Sequence, residues 1–113
     1  MTLGTLEEFL VDPHRRPPNA YVRHNGFRRL YVRWSQRSLG GTVYKSILDI
    51  ANIEATKPGK GAFTKLVEDL HARNISLYVE SVMNTRFEAK LLRMGFTQRP
   101  EQLGAPSFYL LVK

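Results

Sequence analysis

The stretch ATKPGKGAFTKLVEDL, residues 55–70, sets two glycines around a lysine directly before a run of helical apolar spacing. The first backbone N–H groups of a helix have no partners within it and carry the positive end of the helix dipole, so an anion placed there is stabilised. Gly59 and Gly61 accept a positive φ and leave room for close approach. The amides from Lys60 through Gly61, Ala62 and Phe63 to Thr64 can therefore converge on a phosphate, with Lys57 and Lys60 adding charge. Two familiar phosphate motifs are excluded. GKGAFTK lacks the four-residue spacing and Gly-Lys-Ser/Thr ending of the nucleotide P-loop. Phe63 and Thr64 stand where a dinucleotide fingerprint needs its third glycine. Metal chemistry has no visible ligand set: the chain has no cysteine, and His14, His24 and His71 lie far apart without zinc spacing.

Composition bounds the remaining options. A chain of 113 residues with 42% apolar side chains is sized for one domain, residues 1–113, with a modest core. The net charge of +7 indicates an anionic partner, and seven arginines fall between residues 15 and 37. Nucleic acid, an acidic protein face and a phosphorylated cofactor all suit that charge. No apolar run approaches the roughly 20 residues that span a bilayer. MTLGTLEEFL is acidic and amphipathic, unlike a secretory leader. The expectation is a cytoplasmic protein that does not engage membranes.

The elements that must hold the glycine turn follow from local patterns. Thr5 with Glu8 has capping-box spacing before Leu6, Phe9 and Leu10, which predicts a short helix over 5–11. The prolines of DPHRRPPNA stop it. Strands are expected over 20–24 and 27–37 around Asn25-Gly26. In the second of these, Leu30, Val32 and Trp34 alternate with Tyr31, Arg33 and Ser35. SLGGT turns the chain into a third strand over 43–55, apolar on both sides and so expected mid-sheet. Phe63, Leu66, Val67 and Leu70 predict a helix ending near Arg73-Asn74. A strand over 75–82 follows, then a helix begun by a second capping-box pattern at Thr85 and Glu88 and closed by Gly95. Two closing strands end the chain, with a loop around 104–106 between them. The fold class is α+β, or mixed α/β. It combines an antiparallel meander with two central strands joined through the Gly61 helix, parallel and right-handed in connection.

LDIANIEATKPGKGAFTKLVEDL followed by ISLYVESVMNTRFEAKLLRMGF resembles the two central motifs of the GNAT superfamily of acyl-CoA-dependent N-acyltransferases. The likeness covers roughly residues 43–96. It rests on the strand-turn-helix around Gly59 and Gly61 and on Asn84 with Gly95-Phe96. It implies a GNAT-like mixed sheet and an acetyl-CoA cofactor. The cofactor's phosphates would lie at Lys57 and at residues 59–64, and its pantetheine arm along Ile53, Glu54 and Ala55 between strands that splay apart. It also implies acyl transfer to an amine, that of a protein among the options, with a carboxylate to take the amine's proton. Asp49 ranks first for that role, before Glu54 and Glu80, and the backbone amide near Ile53 is the expected oxyanion donor if a bulge turns it inward.

The departures from the family pattern bear on catalysis. Pro58 replaces its arginine or glutamine, Phe63 its small residue, and Leu91 the tyrosine that often protonates the departing thiolate. Water, Tyr78 or Ser81 would have to supply that proton. The front of the chain is short, so either the acceptor cleft is open or a second copy completes it. Small members of this kind occur in bacteriophage genomes. Two other readings compete: a GNAT-fold coenzyme A binder or regulator without turnover, and a basic nucleic-acid-binding domain in which Tyr21, Tyr31 and Trp34 stack bases.

Overall fold

A computed structural model describes residues 4–12, 14, 16–57, 59–80, 85–99 and 106–112. The elements run α1 (Leu6–Leu10), β1 (Asn19–Tyr21), β2 (Phe27–Leu39), β3 (Thr42–Ala55), α2 (Ala62–Ala72), β4 (Leu77–Val79), α3 (Thr85–Arg93), β5 (Thr97–Gln98) and β6 (Phe108–Leu110). The six strands form one mixed sheet in the order β1-β2-β3-β4-β6-β5. The meander β1-β2-β3 is antiparallel, β3 and β4 are parallel, and β6 inserts antiparallel between β4 and β5. The expected α+β class and the parallel central pair are therefore present.

Local chemistry explains the punctuation. At α1 the capping box closes in both directions, Thr5 Oγ1 accepting from the Glu8 amide and Glu8 Oε1 from the Thr5 amide, each at 3.2 Å. Between β2 and β3, Gly40 and Gly41 take φ of 57° and 83°. Two successive positive φ values suit the right-handed twist of a tight hairpin. Before β2, only Gly26 carries the positive φ, at 95°. The Phe27 amide bonds His24 O across that turn at 3.1 Å, as glycine at the third position of a type II turn allows. α2 ends as its sequence indicates, with Asn74 left-handed at φ 60°. α3 differs at its start. Thr85 is its first helical residue rather than its cap, and the preceding residue lies outside the described ones.

The helices described here all feed one core. Leu6 and Phe9 of α1, Phe63, Leu66, Val67 and Leu70 of α2, and Leu91 of α3 pack on Leu30, Val32, Leu48, Ile50, Leu77, Val79 and Phe108 of the sheet. Trp34 belongs to this side, its ring stacked on Phe9 with centroids 6.0 Å apart. The opposite sheet face carries a smaller cluster of Leu39, Ile47 and Tyr78, edged by Tyr44, Tyr109 and Leu111, to which no described helix contributes. Strand alternation thus puts Leu48 and Ile50 on the helix side and Ile47 and Asp49 on the other. No described helix is long and apolar enough to cross a membrane.

Candidate functional site

β3 passes into α2 through the glycine turn, and the turn is anchored from one side. The Thr56 amide bonds Gly26 O at 2.9 Å, and a Cβ added at Gly26 would stand 3.0 Å from Ala62 Cβ. The β1–β2 turn therefore rests directly on the start of α2. Gly59 and Gly61 have φ of 81° and 80°. A Cβ on either would meet nothing within 4 Å, so the requirement for glycine is one of backbone conformation. Gly61 caps α2 without a side-chain hydrogen bond, and the first turn of the helix holds no acidic residue. Among the described residues the Ala62, Phe63 and Thr64 amides meet no acceptor.

Between α2 and the β1–β2 turn lies a cleft of about 660 Å³. Lys57, Lys60 and Lys65 line it with His24, against a single carboxylate, Asp69. Phe63 points away from the turn into the core, 7% exposed, edge-on to Phe87 at 4.9 Å. Ala62 and Thr64 are half-buried at the helix start.

The other side of β3 has a second opening. Among the described residues, pairing with β4 covers Leu48, Asp49 and Ile50, flanked by bonds from the Leu48 amide to Ser76 O at 3.0 Å and from the Glu80 amide to Ile50 O at 3.3 Å. β3 then continues to Ala55 paired with β2 alone among the described residues. Within that free segment the register steps from Tyr31↔Ala51 to Arg29↔Glu54. Three residues of β3 thus oppose two of β2, and Asn52 takes a φ of 45°. This is a β-bulge at Asn52-Ile53, fixed from outside by Asn52 Nδ2 on the Tyr21 hydroxyl at 2.7 Å.

On the helix-free face, where β2, β3 and β4 run side by side, the structure brings together residues distant in sequence. Asp49, 1% exposed, accepts from Ser35 Oγ at 2.7 Å and Arg37 Nε at 3.1 Å through Oδ1. Its Oδ2 accepts from Arg33 Nε at 3.0 Å and from both arginine Nη2 atoms at 2.7 Å. Both Nη2 atoms also reach Glu80 Oε1, the Arg37 contact at 2.7 Å. Although burial alone would raise its pKa, the bonds from Arg37, Ser35 and Arg33 hold the Asp49 carboxyl below its ordinary value. Glu80 is pushed the other way, by burial first and then by the bond and charge of Asp49, with the arginines opposing. Tyr78 lies beneath, 1% exposed. Arg37 Cζ sits 3.8 Å from its ring centroid, and Arg99 Nη1 donates to its hydroxyl at 2.9 Å.

Asp49, Glu80 and Tyr78 thus share one site, while Lys57, Lys60 and Ala62 line the cleft beside α2, whose lining does not include Gly59, Gly61, Phe63 or Thr64. Glu54 is half-exposed and pairs with Arg28 at 3.4 Å. Ile53 packs against the main core. Ser81 and Asn84 lie outside the described residues. Leu91 is fully buried in the main core. Sequence reasoning missed Ser35 and Arg37 as ligands of Asp49, and His24, Lys65 and Asp69 in the cleft. The first pair is signalled by alternation, since Arg33, Ser35 and Arg37 share one strand face opposite Asp49. The cleft residues have no local signal, because they meet only when the β1–β2 turn docks on α2. Comparison with family models, curated proteins and solved structures finds no match.

Proposed function

We propose that this protein binds acetyl-CoA and transfers its acyl group to an amine. The observation that carries the reading is the uncapped start of α2, behind two left-handed glycines, with Lys57, Lys60 and Lys65 lining the adjoining cleft. Those groups suit a pyrophosphate, with backbone amides giving direction and lysines giving charge. The bulge at Asn52-Ile53 and the end of β3 beyond Ile50 supply further support, since a pantetheine amide can bond to a strand edge that no described residue pairs with. When bound, acetyl-CoA supplies an activated thioester; the chain's part is to orient it and to manage protons.

Glu80 is the residue assigned to take the amine's proton, in place of Asp49. Asp49 has both oxygens engaged and a lowered pKa, which makes it a poor base. Glu80 has a raised pKa and a side chain 27% exposed just past the end of β4. The amine then approaches on the sheet face that carries the Glu80 cluster. A thermal-melt series with acetyl-CoA, desulfo-CoA and a short oligonucleotide tests the reading, because a ligand specific to the folded chain raises the midpoint. A rise with the CoA species is expected; no rise with either would refute it.

One specific observation favours a second reading, a coenzyme A binder without turnover. Leu91 offers no proton and is sealed in the core, and Tyr78, 1% exposed, is closed off from a departing thiolate. Binding without thiol release over a wide amine panel would support it. The nucleic-acid reading loses one of its three stacking residues, since Trp34 is stacked on Phe9 within the core side.

A further inference from the structure

Asp49 and Glu80 differ in how their oxygens are used. Every Asp49 oxygen is held by at least two donors. Both arginines reach Glu80 through the same oxygen, Oε1, and among the described residues Oε2 accepts no hydrogen bond. One oxygen of Glu80 is thus clamped, and the other meets no donor among the described residues. Two guanidinium groups this close repel each other, and the buried carboxylate of Asp49 between them offsets that repulsion.

We propose that Asp49, Arg33 and Arg37 form a positioning unit for Glu80. Asp49 gathers the two guanidinium groups, and their shared Nη2 atoms fix Glu80 Oε1 so that Oε2 faces the reacting amine. In this scheme Glu80 is the catalytic residue and the other three act through it. The catalytic part rests on the proposed acyl transfer; the clamp on Glu80 does not. Asp49 has a second effect. The four groups sum to zero charge when all are ionised, and Asp49 supplies the negative charge that keeps two nearby cations from making Glu80 a weaker base. Charged and titratable groups facing this cluster are Arg33 and Arg37 from β2, Asp49 from β3, Tyr78 from β4 itself, and Arg99 and Tyr109 beyond it.

The test follows the Glu80 side-chain carboxyl by carbon NMR against pH in the full chain. In Asp49→Asn the Glu80 midpoint is expected to fall, because the arginines then act on it undiluted. In Arg37→Gln it is expected to rise, because one cation is gone. Arg37→Gln also keeps the proposal testable should Asp49→Asn fail to fold, since Arg37 is partly exposed where Asp49 is sealed. A merely structural role would lower the melting point of both variants without moving the Glu80 midpoint in opposite directions. Unmoved midpoints in folded variants, or movement in the same direction in both, would overturn the positioning unit. The CoA melt series reads the acyltransferase proposal separately: opposite midpoint shifts without any CoA-induced stabilisation would leave the clamp standing and remove the reaction.

Discussion

Removing the carboxylate with Asp49→Ala deprives Ser35, Arg33 and Arg37 of a shared acceptor that is 1% exposed. Breaking a buried ion pair from one side costs about 3–5 kcal/mol, because the remaining charge is left without compensation. Here the arginines keep Glu80 and some solvent, with side-chain exposures of 38% and 18%. That places the expected cost near the lower end, about 3 kcal/mol. An unfolding entropy of about 2.1 cal/mol/K per residue over this chain gives roughly 0.24 kcal/mol/K, so Tm is expected to drop by roughly 12 °C. Asp49→Asn keeps an acceptor and loses the charge, so a smaller drop is expected. Differential scanning calorimetry at pH 7 measures both. A loss under about 3 °C for Asp49→Ala would mean that the carboxylate does not hold the two arginines, and the description of the cluster would fail with it.

Other outcomes follow from the same geometry. Gly61→Ala forces a Cβ into a φ of 80° and should cost about 1–2 kcal/mol in denaturant titration, although nothing blocks the added methyl. Leu91→Tyr should destabilise by about 1–3 kcal/mol through overpacking and should not raise any acyl-transfer rate, since position 91 faces the core. Replacing Lys57 or Lys65 by alanine should weaken coenzyme A binding by about two- to fivefold each, less at high salt, as measured by calorimetric titration. The pH dependence of stability carries two opposed contributions. The lowered pKa of Asp49 gives stability present above its unfolded value and lost as pH falls through its folded value. The raised pKa of Glu80 means the folded state holds its proton longer, so stability falls as pH rises from about 4.5 through the folded value. Glu80→Gln should abolish that second decline in melts taken upward from pH 4.5.

What could be read from the sequence was set by short-range rules. Apolar periodicity located α2 and the central β3, the Thr5–Glu8 spacing marked the start of α1, and the positive-φ glycines and Asn74 fell at turns and helix ends, while the positive φ of Asn52, inside β3, had no local signal. Of the strand expected over 75–82, the described part pairs as Leu77–Val79, and residues 81 and 82 lie outside the described ones. The glycine turn itself was legible, since uncapped amides and lysines lie within a few residues of each other. The role of Asp49 was not. Its surroundings come from Arg33, Ser35 and Arg37, which lie 12 to 16 positions away along the chain. Only the antiparallel register of β2 on β3 turns that alternation into a closed charge cluster. The fourth member, Glu80, arrives from a parallel strand across the α2 crossover, a juxtaposition that no local pattern encodes.

The central claim is that the turn from Lys57 to Thr64 binds the phosphates of coenzyme A. Backbone amide NMR of the labelled full chain, titrated with coenzyme A, tests it most directly. Saturable shifts concentrated at Gly59, Lys60, Gly61 and Ala62, with weaker ones along Ile53 to Ala55, are the expected result. Unchanged amides in that turn at millimolar coenzyme A, or shifts confined to other surfaces, would contradict it.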